Sequence, residues 1–136
     1  MAVEILGRYT GELKTELTHG PSGTVLRTAA PVDNNGDGSS FSPTDLLASA
    51  LASCAVTTMA IIARREGIPF GEATFRIEKH MRSDPRRVDR LPLTIRMPRG
   101  LTPEQRRRLE AIARGCPVAR SLLPEVEQEM AFEYEE

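Results

Sequence analysis

"SPTDLLASALASCAVTTMAIIARREG", residues 42–67, is the stretch on which the fold turns. Ser42 suits a helix N-cap, Pro43 the first helical position, and Asp45 the third, where a carboxylate meets free backbone N–H groups. Leu47, Leu51, Cys54, Thr58 and Ile61 follow at helical spacing, which assigns Cys54 to the buried stripe. Arg64 and Arg65 complement the helix C-terminus, and Gly67 ends it. The flanks are mostly alanine and serine, so the helix is thin. A thin, apolar helix packs closely against other helices and is expected at the centre of the fold.

Outward from that helix, the residues before it alternate at period two. Val3 and Ile5 lead toward Tyr9; Leu13, Thr15 and Leu17 share one face, and Glu12, Lys14 and Glu16 the other. "THGPSG" is a turn cluster and "TVLRT" a short third strand. "PVDNNGDGSS" is a loop; Asp33, Asn35 and Asp37 mimic calcium-loop spacing, but Gly36 is misplaced and no glutamate closes it, so a plain turn is the better reading. After the helix, Ala73, Phe75, Ile77 and Met81 face one way and Leu91, Leu93, Ile95 and Met97 pair with them, around "SDPRR". Lys79 breaks that apolar face and is expected to snorkel at the sheet end. "LTPEQRRRLEAIARG" is a second helix, with Thr102 as cap, Pro103 at its start and Gln105 completing a capping box. Gly115 ends it and Cys116 opens a short third helix. A last strand sets Val126, Met130, Phe132 and Tyr134 against Glu127, Glu129, Glu133 and Glu135. The order is three strands, a long helix, two strands, two helices and a strand: an α+β fold. No internal repeat or linker appears, so residues 1–136 read as one domain.

With 136 residues and a net charge of −1, the chain suits one modest core, and its bulk charge points to neither nucleic acid nor an anionic membrane. The run Arg106–Arg108 is offset by acidic residues and lacks interleaved aromatics, so it reads as a solvated face. Glu4 and Arg8 interrupt any leader-like opening, and the apolar run from Ala55 to Ala63 is too short to span a bilayer. Two cysteines are too few for a disulfide scaffold and fit a reducing compartment. A soluble cytoplasmic protein is expected, with no cofactor and no metal.

Each cysteine admits two readings. Cys116, at a helix start with Arg120 one turn on, has free N–H groups and the helix dipole to stabilise a thiolate, or it is a bare cap. Cys54 is a core residue or a buried nucleophile activated from elsewhere in the fold. No CxxC is present, and the two cysteines and two histidines are spaced too irregularly for zinc. His19 lies in a turn and His80 on a polar strand face, neither placed for a cysteine–histidine hydrolase.

"FSPTDLLASALASC" and "CPVARSLLP" together resemble the OsmC/Ohr family of thiol peroxidases, in its broad OsmC-like branch. The resemblance covers nearly the whole chain. It implies an intertwined homodimer whose sheets wrap two long central helices, with active sites at the subunit interface. It further implies reduction of an organic hydroperoxide, in which Cys54 attacks and becomes a sulfenic acid and Cys116 resolves it as a disulfide. An external dithiol would restore both thiols. In that pattern the first cysteine is assisted by an arginine from the early strands and by an acid directly after the helix-start proline. Here Thr44 follows Pro43 and Asp45 comes next. No arginine lies between Tyr9 and Leu26, so Lys14 is the nearest cation in the matching strand, with Arg8 and Arg27 as further candidates. Cys54, Cys116, Lys14 and Asp45 are the candidate site residues. Nine residues of helix turn Asp45 to the face opposite Cys54, so a plain N-terminal charge is its alternative role. The rival function is a non-catalytic OsmC-like dimer that binds a small apolar ligand at the interface.

Overall fold

The computed structural model describes Met1–Glu135. The chain divides into two compact units, Met1–Leu46 and Leu47–Glu136.

The first unit is an antiparallel sheet in the order β1 (Ile5–Gly11), β2 (Lys14–His19), β3 (Val25–Ala29). The β1–β2 turn falls on Glu12 and Leu13, at φ 55° and 60°. Left-handed backbone at both central residues matches the right-handed twist of the flanking strands. Leu13 and Glu12 therefore belong to the turn, not to the alternating faces that period two suggests. Beyond it the alternation holds. Register puts Gly7 opposite Leu17 and Leu17 opposite Leu26, and Arg8 opposite Glu16 and Glu16 opposite Arg27. After β3 a single 3-10 turn (Val32–Asn34) leads to Gly36, where an added Cβ would lie 1.8 Å from the Ala30 carbonyl oxygen.

Helix α1 (Pro43–Glu66) opens on a reciprocal cap: Asp45 N–H donates to Ser42 Oγ at 3.1 Å, and Ser42 N–H donates to Asp45 Oδ2 at 2.8 Å. It closes on Gly67 at φ 68°, with Ile68 N–H donating to the Ala63 carbonyl at 2.9 Å. That is a left-handed glycine cap. At 24 residues the helix is long and apolar enough, by length and composition, to cross a membrane. The apolar run alone understated this, because Thr57 and Thr58 interrupt composition without ending the helix. Its buried face is Ala48, Leu51, Ala52, Ala55, Met59 and Ala63. This corrects the expected stripe: Leu51 is buried, but Leu47, Cys54 and Thr58 are half-buried and Ile61 is exposed. Four alanines at the contact let the backbone come close, and Leu51 and Met59 are the large side chains buried among them.

The second unit holds all of the buried core cluster, in which that face of α1 meets Val88, Leu91, Leu93 and Ile95, with Leu109, Ala113 and Cys116. The expected hairpin is present, but its first strand is split into β4 (Thr74–Ile77) and β5 (His80–Arg82), both antiparallel to β6 (Arg87–Arg96). Between the pieces Glu78 N–H still reaches the Pro92 carbonyl at 3.0 Å. One extra β6 residue sits opposite the His80–Met81 step, so Val88 and Leu91 both turn inward. Strand β7 (Glu127–Glu133) pairs parallel to β6, with Met130 and Phe132 on the half-buried side and Glu129 and Glu133 outside.

Helix α2 (Pro103–Arg114) starts on the expected capping box: Thr102 Oγ1 accepts from Gln105 N–H and Gln105 Oε1 from Thr102 N–H. The arginine run is more than a solvated face. Arg106 lies over the Tyr134 ring at 4.1 Å, and Arg108 pairs with Glu66 at the end of α1 at 2.5 Å. Tyr134 donates to Glu110, and burial, ahead of that bond, pushes its hydroxyl well above the ordinary range.

Candidate functional site

Two side chains with redox chemistry lie in the second unit, Cys54 and Cys116. Cys54 projects from the middle of α1, about three turns beyond the cap, and is half-buried. Cys116 is the N-cap of α3 (Pro117–Ser121) and is fully buried. Its place follows from local chemistry. Gly115 ends α2, Pro117 has no N–H to lose at the first helical position, and the residue between must be extended. Both thiols are free, and Cys54 lies near enough to act on the ionisation of Cys116.

Burial pushes the Cys116 thiol up from its ordinary value, since a buried thiolate loses its hydration. The Ala119 backbone N–H opposes this, the Cys54 side chain reinforces the rise by its hydrogen bond and its charge, and the Val118 N–H adds a smaller opposing pull. The expected thiolate stabilisation at Cys116 is thus outweighed: α3 has only five residues, and its amides do not replace water. Arg120 does not serve the sulfur either; its Nε donates to the Gly115 carbonyl at 2.8 Å. Cys54, assigned by its spacing to the buried stripe, is instead the more accessible thiol within one chain, and Cys116 is the enclosed one. One turn along α1, Thr58 Oγ1 lies 3.8 Å from Cys54 Sγ.

The remaining expected residues belong to residues 1–46. Lys14 Nζ pairs with Asp37 Oδ2 at 3.0 Å. Asp37, held also by Ser39, has its carboxyl lowered to about 2; the Ser39 hydroxyl is the largest cause and Lys14 the next. The loop that mimicked calcium spacing therefore spends Asp37 on Lys14 and Ser39. Asp45 caps α1 through Ser42, the plain alternative anticipated for it. On the polar sheet face Glu16 is bracketed by Arg8 at 3.3 Å and Arg27 at 3.1 Å, and an open groove of about 510 Å³ runs past Arg8, Lys14, Glu16 and Arg27. That bracket was missed from the sequence. Its signal was present: the three residues fall at matched positions of adjacent strands once the Glu12–Leu13 turn sets the register. His80 Nε2 bonds Glu78 Oε1 at 2.9 Å and His19 Nδ1 bonds Ser22 Oγ at 2.6 Å.

An α+β chain with one thiol on a long helix and a second at a Cys-Pro helix start defines a class, and comparison gives it a family. The model of the OsmC-like protein family matches residues 36–130, and the chain belongs to that family. No curated protein is similar enough in sequence to match it. Among solved structures it is similar to a protein of Psychrobacter arcticus described as an osmotic stress induced and detoxification response protein. The two are 37% identical with a TM-score of 0.89, over 98% of this chain and 96% of that one. It also shares its fold with an organic hydroperoxide resistance protein OsmC from Legionella pneumophila, at 17% identity and a TM-score of 0.79 over 98% and 97% of the chains. An organic hydroperoxide resistance protein from Elizabethkingia anophelis is similar in fold at 16% identity and 0.78, over 99% and 97%.

Proposed function

We propose that this protein is a thiol peroxidase that reduces organic hydroperoxides through Cys54 and Cys116. The observation that carries the reading is that two free thiols, one on the long helix and one at a Cys-Pro helix start, lie near enough to act on each other's ionisation. The half-buried sulfur takes the attacking role, because a peroxide can reach it while Cys116 is enclosed. The Cys54 thiolate attacks the terminal oxygen of ROOH. The O–O bond breaks, the alkoxide leaves and takes a proton as ROH, and Cys54 becomes a sulfenic acid. Cys116, kept protonated by burial, then attacks the Cys54 sulfur, and the sulfenic oxygen departs as water with the Cys116 proton. An external dithiol reduces the disulfide. Since Cys116 is enclosed, that dithiol enters at the Cys54 sulfur.

The working form in this reading is a homodimer. Within one chain only 33% of the most apolar eighteen-residue window of α1 is buried, and Ile5, Tyr9 and Leu26 of the first sheet are exposed. A second copy is the partner proposed to cover these surfaces, and the cytoplasm the proposed location. Lys14 is the proposed cation acting on Cys54, with Arg8 and Arg27 next in line.

Thiol titration with mass measurement, before and after one equivalent of tert-butyl hydroperoxide, tests the reading. Both thiols should disappear together and the chain should become two hydrogens lighter. Two thiols surviving the peroxide would overturn the peroxidase and leave a binding protein.

A further inference from the structure

We infer that Thr58 is a catalytic hydroxyl, the hydrogen-bond donor that holds the Cys54 thiolate. The inference rests on the reading of Cys54 as the nucleophile. Residues four apart on a helix face the same way one turn on, and Thr58 Oγ1 is 3.8 Å from Cys54 Sγ. The length is that of a sulfur contact still to tighten; catalytic hydrogen bonds are often long before the charge forms. Thr58 is half-buried, so its hydroxyl competes with less water than one on the open surface.

A helical threonine ordinarily turns its hydroxyl to the carbonyl four residues back. For Thr58 that carbonyl belongs to residue 54, the same residue that carries the thiol. Rotation about the Thr58 C–O bond suffices to aim its proton at the sulfur, with no movement of the helix. While Cys54 is a thiol, its S–H can donate to Thr58 Oγ1. Once it is a thiolate, the direction reverses and the hydroxyl donates to sulfur. A hydrogen bond to the charged form favours that form. The donor comes from the nucleophile's own helix, so its distance to sulfur is set by helix geometry and the two side-chain rotamers, not by the docking of another element. Valine is nearly isosteric with threonine and lacks the donor, which isolates the hydroxyl from the packing.

The test reads ionisation directly, without peroxide. In a Cys116→Ser background, the rate of Cys54 alkylation by iodoacetamide is followed against pH. Thr58→Val should move the midpoint up by about one pH unit, which is about tenfold slower alkylation at neutral pH. Thr58→Ser, which keeps the hydroxyl, should stay near the parent. Thr58→Ala repeats the loss of the donor should the valine variant fold poorly. An unchanged midpoint in Thr58→Val and Thr58→Ala overturns the inference. So does an equal shift in Thr58→Ser, which would make the effect one of packing. Failure of the wild type to reduce hydroperoxide sinks the proposed function alone, because the alkylation midpoint is read independently of it.

Discussion

Residues 1–46 and 47–136 order themselves by different means. In the second unit Leu91, Leu93, Ile95 and Leu109 are fully buried against the alanine face of α1, and hydrophobic burial alone accounts for a stable core. In the first unit Ile5, Leu6, Tyr9, Val25 and Leu26 are exposed, and only Thr28, Ala29 and Ser42 are buried. That unit is held by its strand ladder and by surface ion pairs: Arg8–Glu16, Glu16–Arg27 and Lys14–Asp37. Exposed ion pairs contribute little each. A three-stranded sheet with apolar side chains open to water has unmet burial, whereas the unit that carries both thiols has a core of its own. The contrast teaches where a second copy would contribute most, and it can be broken by experiment.

The largest effect should come from the unit with the thiols. Cys54→Ser should lower peroxide reduction about a thousandfold or more, since a hydroxyl is a poor nucleophile without an activating base, and leave the melting temperature nearly unchanged. Peroxide consumption by this variant at the wild-type rate would remove the chemistry from this unit.

Matched leucine truncations test the contrast in burial. Leu93→Ala should cost about 2–5 kcal/mol in denaturant unfolding, because the cavity cannot collapse fully. By its exposure in a single chain, Leu26→Ala is worth no more than a surface change, within about 0.5 kcal/mol. Leu26→Asp nonetheless should raise the dimer dissociation constant at least about tenfold in light scattering, as a charge placed on a face that a partner covers. A folded wild-type monomer at micromolar concentration would break the comparison outright.

A smaller effect is expected at Lys14. Lys14→Ala should slow peroxide consumption about tenfold if this cation favours the thiolate, with Arg8→Ala and Arg27→Ala as the paired controls. An unchanged rate would confine Lys14 to its bond with Asp37.

The smallest effect is in acid. The Asp37 carboxyl is held below its ordinary value of 3.8, at about 2. A depressed carboxylate stabilises the fold above its unfolded value and loses that contribution as pH falls through its folded one. Order in the first unit should therefore decline between about pH 4 and pH 2, earlier in high salt. Carbon-detected NMR of the Asp37 carboxyl should show the low titration; a midpoint near 4 would contradict the Lys14 and Ser39 contacts.

Much of this was legible before any coordinates. Thr102, Pro103 and Gln105 declared the start of α2 because capping is satisfied within four residues. Ser42, Asp45 and Gly67 bounded α1 for the same reason. The β1–β2 turn was not legible, since Glu12 and Leu13 carry none of the glycine or asparagine that normally marks left-handed backbone. Nor was the split of the strand at Glu78 and Lys79: Lys79 interrupts the apolar alternation, but a lone lysine between Ile77 and Met81 does not by itself mark a gap in pairing.

By itself the sequence determined the order of helices and strands, the helix caps and the family, because these depend on contacts between residues near in the chain and on two cysteine segments. The environment of each thiol was decided by tertiary structure alone. Spacing assigned Cys54 to the buried stripe and left Cys116 at a helix start, either a stabilised thiolate or a bare cap. The fold turned the alanine face of α1 inward, left Cys54 half-open and enclosed Cys116, because burial is settled by which surfaces meet. The desolvation that pushes the Cys116 thiol up comes from residues distant in the chain. No local pattern carries that information.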